Sequence, residues 1–356
     1  MSTTIDLARC LGTPLINDGK PFELIESEEL LNLAFTNRVE MIYLENLKKA
    51  GKLDKLAPKL EEFEVRREKT NESIIRIAKT MKKLNIEYSI TKSLRPYPAI
   101  PNDTDMLYLG PLDKFSDAVE QFSAEGFTVC GGGEMQTELF DTHGGGEFND
   151  EKRGGMFYID FYRQLAADHV PYMNSKVLRE HVITRTVGDI EVNIFDPIAE
   201  MTILYLHAII MHRTIPLEVM WGTAYWIKDM KTEDFDRFEK YIRDNRAVVC
   251  ARTSFGLMAQ IYQEAFGEVP VQIQEMISRI GVRPAEQRAL KKSNYDYPHI
   301  ALFSTFVYAL FEKITEWNSF KGFMKELVMM INPIFFAEVM HHMFNKARIK
   351  KHFRHV

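Results

Sequence analysis

This chain is poor in the features that most quickly place a protein. Its 356 residues include only 3 cysteines, Cys10, Cys130 and Cys250, scattered and without a Cys-x-x-Cys pair. That argues against a disulfide framework or a cysteine-built zinc site and suits a reducing compartment. No uninterrupted apolar run reaches the length of a membrane span. The nearest, Ile300 to Phe311, stops at Glu312-Lys313 and reads as a buried core helix. The first nine residues lack the basic-then-apolar layout of a secretion signal, so the expected location is cytoplasmic. Excess charge of one sign is scarce too: the formal net charge is −5, and no global field draws the chain to nucleic acid. Neither a repeat of solenoid period nor a low-complexity tract is present. The glycine clusters Gly131–Gly133 and Gly144–Gly146 lack the frame and the Lys-Ser/Thr of a Walker loop. They read as hairpin ends, with a lid over a nucleotide as the alternative for the second.

What is present divides the chain into three stretches. Residues 1–85 read as helical, with one helix from Ser27 as cap to Gly51 as stop and another from about Pro58 to Leu84. The second puts Ile74, Ile77, Ala78 and Met81 toward a core and a basic, solvated side outward. Residues 86–195 turn to short strands, a helix from Lys114 to Glu125, and a hairpin around Gly188-Asp189. After Asp196-Pro197, a cap followed by a first-turn proline, residues 196–356 read almost wholly as helix. His207 and His212 lie five apart, poor spacing for one helical face, and read as lone histidines. The adjacent His341-His342 diverge around a helix. From Lys346 to the end, Lys346, Arg348, Lys350, Lys351 and Arg354 stand without an acid. A solvated tail is the plain reading, and contact with RNA phosphates the sharper one.

The chemistry concentrates at Asp103-Thr-Asp105, followed by the apolar Met106-Leu-Tyr-Leu109. Strand residues two apart share a face, so both carboxylates project side by side. Like charges that close call for a neutralising cation. Lys92-Ser93 lies just upstream, after the alternating Ile86, Tyr88 and Ile90. A third acid, Asp160, stands inside the aromatic strand pattern Met156-Phe-Tyr-Ile-Asp-Phe-Tyr-Arg163, where an unpaired buried carboxylate is costly. A neighbouring strand that brought Asp160 beside the pair would complete a three-carboxylate site of the kind that serves metal-assisted phosphoryl chemistry. The second Asp-x-Asp, Asp234-Phe-Asp236, reads as a solvated helix start capped by Thr232.

Together, Lys92-Ser93, Tyr97-Pro98, Asp103-Thr-Asp105 and Asp160 resemble the nucleotidyltransferase superfamily with the DNA polymerase β-like palm. Within it they look most like an uncharacterised nucleotidyltransferase family that writes Lys-Gly, Tyr-Pro, then Asp-Ile-Asp-Leu. A looser likeness runs from about residue 28 to 280, through Asp196–Met201, His207, His212, Asp229 and Ala259–Pro270. The resemblance implies an α+β fold: a small mixed-sheet palm over 86–195, flanked by N-terminal and C-terminal helical regions. It implies Mg²⁺ or Mn²⁺ held by Asp103, Asp105 and Asp160, with Asp160 helping to activate the acceptor hydroxyl. An NTP such as ATP would be the substrate, with Lys92 and Ser93 on its phosphates. The acceptor stays open among RNA, protein and small molecule, and no membrane partner is expected.

The chain departs from the pattern in three places. Lys92-Ser93 replaces the Gly-Ser or Gly-Gly that lets backbone approach a triphosphate. Phe161-Tyr162 replaces Leu-His, and Ile100-Pro-Asn102 lacks an arginine. Three other readings therefore stand beside the first. One is a degenerate, non-catalytic palm that binds nucleotide, RNA or a protein partner. The others are an Asp-x-Asp glycosyltransferase and a scaffold with solvated acids.

Overall fold

The computed structural model describes residues 3–16, 24–101, 103–144, 157–282, 299–333 and 336–337. The basic stretch from Lys346, the His341-His342 pair and most of the second glycine cluster lie outside these residues. The chain forms a mixed α/β structure, one seven-stranded mixed sheet with helices on both faces. Among the described residues no helix is long and apolar enough to cross a membrane.

The first helices are α1 (Thr4–Leu11), α2 (Glu28–Thr36), α3 (Glu40–Lys49) and α4 (Ala57–Leu84). The single helix expected from Ser27 to Gly51 is thus two. Ser27 does cap its start, accepting from the Leu30 amide, but Arg38 adopts a left-handed φ of 56° and breaks it. Asn37 uses the break, accepting the Leu217 and Glu218 amides from 180 residues further along the chain. Hydrophobic pattern alone cannot show such a tie.

The strands are β1 (Tyr88–Thr91), β2 (Thr104–Tyr108), β3 (Phe127–Gly132), β4 (Gln136–Asp141), β5 (Tyr158–Tyr162), β6 (Ala166–Ala167), β7 (Val170–Pro171), β8 (Val182–Val187) and β9 (Ile190–Phe195). Helix α5 (Phe115–Ser123) lies between β2 and β3, and the short α6 (Ser175–Leu178) precedes β8. The order across the large sheet is β3-β4-β5-β2-β1-β9-β8. The β2/β5 and β1/β9 pairs are parallel and the rest antiparallel.

Alternation along the strands sorts the two faces. Tyr88, Ile90, Met106, Tyr108, Ile159 and Phe161 pack in one core with Ile74, Ile77 and Met81 of α4 and Phe115 and Phe122 of α5. Leu107, Tyr162 and Phe195 point the other way, into a larger core that the first helices share with the last ones. Those last helices are α7 (Pro197–Leu206), α8 (Leu217–Ile227), α9 (Thr232–Asp244), α10 (Val248–Phe266), α11 (Val271–Ile280), α12 (His299–Lys313) and α13 (Trp317–Met329). Helix α12 is not buried all round as its composition suggested: Tyr308 is 49% and Phe311 62% exposed, while Thr305 and Ala309 face inward. Asp234 and Asp236 sit on α9, where Asp234 accepts from the Lys231 amide and Asp236 pairs with Arg279. That second acidic pair is helix-end structure. Thr232 is the first helical residue rather than the cap.

Candidate active site

The acids meet through register. On the parallel pair β2/β5, Asp105 lies directly opposite Asp160, and on β4/β5 Glu138 lies opposite Asp160. Directly opposed residues share a sheet face, so three carboxylates form a row across three strands. Thr91 of β1 extends the row beyond Asp105. Asp103 stands one residue before β2 at its site end. The sequence singled out Asp103, Asp105 and Asp160. Glu138 escaped it, because its place depends on the β4/β5 pairing rather than on any local motif.

Crowding of negative charge on buried Asp105 and half-buried Asp103 and Asp160 has the expected consequence. Burial, then the neighbouring Asp105 charge, pushes the Asp103 carboxyl up to about 6, against the opposing pull of Lys92, Arg38 and Arg66. Burial, then Asp103 and Asp105, holds Asp160 well above the usual carboxylate range. Tyr162 donates its hydroxyl to Asp160 Oδ2 at 3.2 Å.

Lys92 and Ser93 occupy the turn after β1. The Ser93 hydroxyl accepts the Asp105 amide at 2.8 Å and donates to the carbonyl of Thr91 or Asp103 (3.1 and 3.3 Å). It therefore braces the acidic strand from a position only 4% exposed. Lys92 takes a left-handed φ of 59°. A side chain there costs about 1–2 kcal/mol relative to ordinary backbone, a cost glycine avoids. Its amide donates to Glu200 Oε1 at 2.5 Å. Its ammonium reaches Asp105 Oδ1 at 2.7 Å and lies 5.2 Å from the centre of the Tyr162 ring.

Glu200 of α7 anchors this turn. It accepts from Thr91 Oγ1 at 2.9 Å and from Arg95 Nη1 at 2.7 Å, and Arg95 also bridges to Glu218 of α8 at 3.3 Å. Asp196 caps α7 by accepting the Ala199 amide, which places Glu200 one turn into the helix. Beyond α7 the chain widens into a π-helical segment, His207–Met211. In that geometry residues five apart stack on one face. The lone-histidine reading is overturned for this reason: the Nε2 atoms of His207 and His212 lie 3.0 Å apart.

His207 also lies 3.4 Å from the Lys92 ammonium through Nε2 and 3.0 Å from the Tyr172 hydroxyl through Nδ1. An ammonium only donates, so Nε2 accepts and Nδ1–H faces Tyr172. Burial, then the charges of Lys92 and His212, keeps this imidazole well below its ordinary pKa and neutral.

A cleft of about 480 Å³ adjoins the centre through Ser93. Arg67 and Asn71 of α4, the turn from Leu94 to Ala99, and Arg185–Gly188 of the β8/β9 hairpin line it, with no carboxylate among the described residues.

By donor type the acids suit a hard divalent cation. As arranged, no set of three or more His, Cys, Asp or Glu side chains among the described residues converges to hold a metal ion. The Lys92 ammonium stands among the carboxylates as a cation of the protein's own. No protein-family profile matches the chain, and no curated protein is significantly similar to it.

Proposed function

We propose that this chain is a nucleotidyltransferase with a DNA polymerase β-like palm, moving a nucleoside monophosphate from an NTP to an acceptor hydroxyl and releasing pyrophosphate. The observation that carries the reading is the register of Asp105 against Asp160 on adjacent parallel strands, with Asp103 at the strand's entry. In this reading Asp103, Asp105 and Asp160 would hold Mg²⁺ or Mn²⁺ once the Lys92 ammonium has left Asp105. Such an ion supplies charge compensation for the triphosphate and polarises the reacting oxygens. The chain's own groups do the rest. Ser93 fixes the height of the acidic strand, and Asp160, its proton affinity raised by burial and then by Asp103 and Asp105, accepts the acceptor's proton in its ionised form. The acid-free cleft beside Ser93, with Arg67 and Arg185 in its walls, suits an anionic ligand such as a phosphate chain.

Incubation with each α-labelled NTP, Mg²⁺ or Mn²⁺ and candidate acceptors tests the proposal. Label should transfer with wild type and fall by at least about a hundredfold with Asp105→Asn. Equal transfer by the two proteins would remove Asp105 from the chemistry.

A second reading has an observation of its own. Lys92 holds a left-handed position suited to glycine and fills the centre with its ammonium, which favours a palm that binds nucleotide without turnover. Binding of an NTP with no transfer to any acceptor would support it.

A further inference from the structure

The strongest unassigned feature is what surrounds the Lys92 ammonium. Its side chain is only 7% exposed and that of its partner Asp105 11%. Its charge also acts on Asp103 and Asp160, opposing the rise of both carboxyls. One face lies over the Tyr162 ring, and neutral His207 accepts from it. Asp105, an aromatic face and an imidazole meet the ammonium on three sides, and its charge is felt at Asp103 and Asp160. The backbone is held to this task as well, since the Glu200 contact fixes the Lys92 amide in its left-handed turn.

We infer that Lys92 is the resident cation of the carboxylate centre and competes with divalent ions for the same oxygens. The inference rests on the reading of Asp103, Asp105 and Asp160 as cation-binding acids, and it adds what governs their occupancy. With the ammonium in place the negative charge is already offset, and a second cation at Asp105 meets repulsion at close range. A divalent ion enters as the lysine swings out. His207 Nε2 faces the ammonium at 3.4 Å and shares that side with His212 Nε2 at 3.0 Å, while Nδ1 meets the Tyr172 hydroxyl.

The test reads metal binding rather than turnover. The full chain, without nucleotide, is titrated with Mn²⁺ and free ion is followed by electron paramagnetic resonance. Wild type is compared with Lys92→Met, which keeps an apolar stem over Tyr162, and Lys92→Gly, which relieves the left-handed backbone and guards against misfolding. The expected result is binding about tenfold tighter or more in both variants, lost again when Asp105→Asn is added. Equal Mn²⁺ affinity in wild type and the folded variants would overturn the inference. So would a gain that survives Asp105→Asn, since the ion would then sit elsewhere. Absence of nucleotidyl transfer alone, with the Mn²⁺ gain intact, would count against the proposed reaction and leave the competition standing.

Discussion

Two buried carboxylates away from the acid row show how differently a charge can be housed. Asp141 is fully buried, yet its oxygens accept from Ser73 Oγ, Arg76 Nε and Nη2, and the His143 amide. It pins α4 to β4. Arg76→Ala should destabilise the chain by about 3–5 kcal/mol, because the buried charge is left uncompensated. Asp141→Asn should cost less, and urea unfolding of the two variants gives the comparison. Glu40 is the opposite case: burial, aided by Glu218, pushes its carboxyl up to about 8, and its Oε2 has no hydrogen-bond partner among the described residues. The folded chain then holds a proton that the unfolded chain releases near pH 4.5. Its contribution is complete below that value and is lost as pH rises through about 8. Glu40→Gln should flatten a loss on the order of a few kcal/mol between pH 5 and 8, read from urea midpoints across that range. At this scale the sequence displayed Asp103, Asp105 and Asp160, because short polar interruptions in apolar strands are local signals. Glu138, Tyr172 and the groups around Lys92 were silent, since each depends on residues brought from elsewhere in the chain.

Elements were legible where period and punctuation agreed. The α4 helix, the β8/β9 hairpin and the α7 start lie where the pattern placed them, each bounded by a proline, a Gly-Asp turn or a cap. The α2/α3 break and the π segment were not legible, because Arg38 and His207 carry no special residue type that announces a left-handed turn or a widened helix. Strand order was equally hidden: nothing local says that β5 inserts between β4 and β2. The capping of α7 matters beyond its own stability, since Glu200 and His207 both follow from where that helix begins. Asp196 also accepts from or pairs with His181 at 2.8 Å. Asp196→Ala should therefore cost at least about 1 kcal/mol, visible as a lower melting temperature. A fully neutral melt would mean that α7 is held by packing alone.

At the scale of the molecule, the first and last helices do not form separate bodies. Leu7, Leu31 and Tyr43 share a core with Tyr205, Phe255 and Met258, and Arg9 donates to the carbonyls of Ala265 and Glu264. Unfolding followed by far-ultraviolet circular dichroism and by the fluorescence of the three tryptophans, Trp221 and Trp226 in α8 and Trp317 in α13, should give coincident transitions. Separated midpoints would show that the helical regions hold independently. The interior strand β1 carries a different consequence. Its neighbour β9 pairs Ile194 with Ile90, about a hundred residues later in the chain. On a ribosome adding roughly 5–20 residues per second, β1 waits on the order of 5–20 s for that edge to be covered. Glu200 and His207, which steady the lysine, emerge later still. The nascent chain therefore displays its acids and an open strand edge before it owns the groups that hold them in order, and a chaperone that shields strand edges would find its target in that interval.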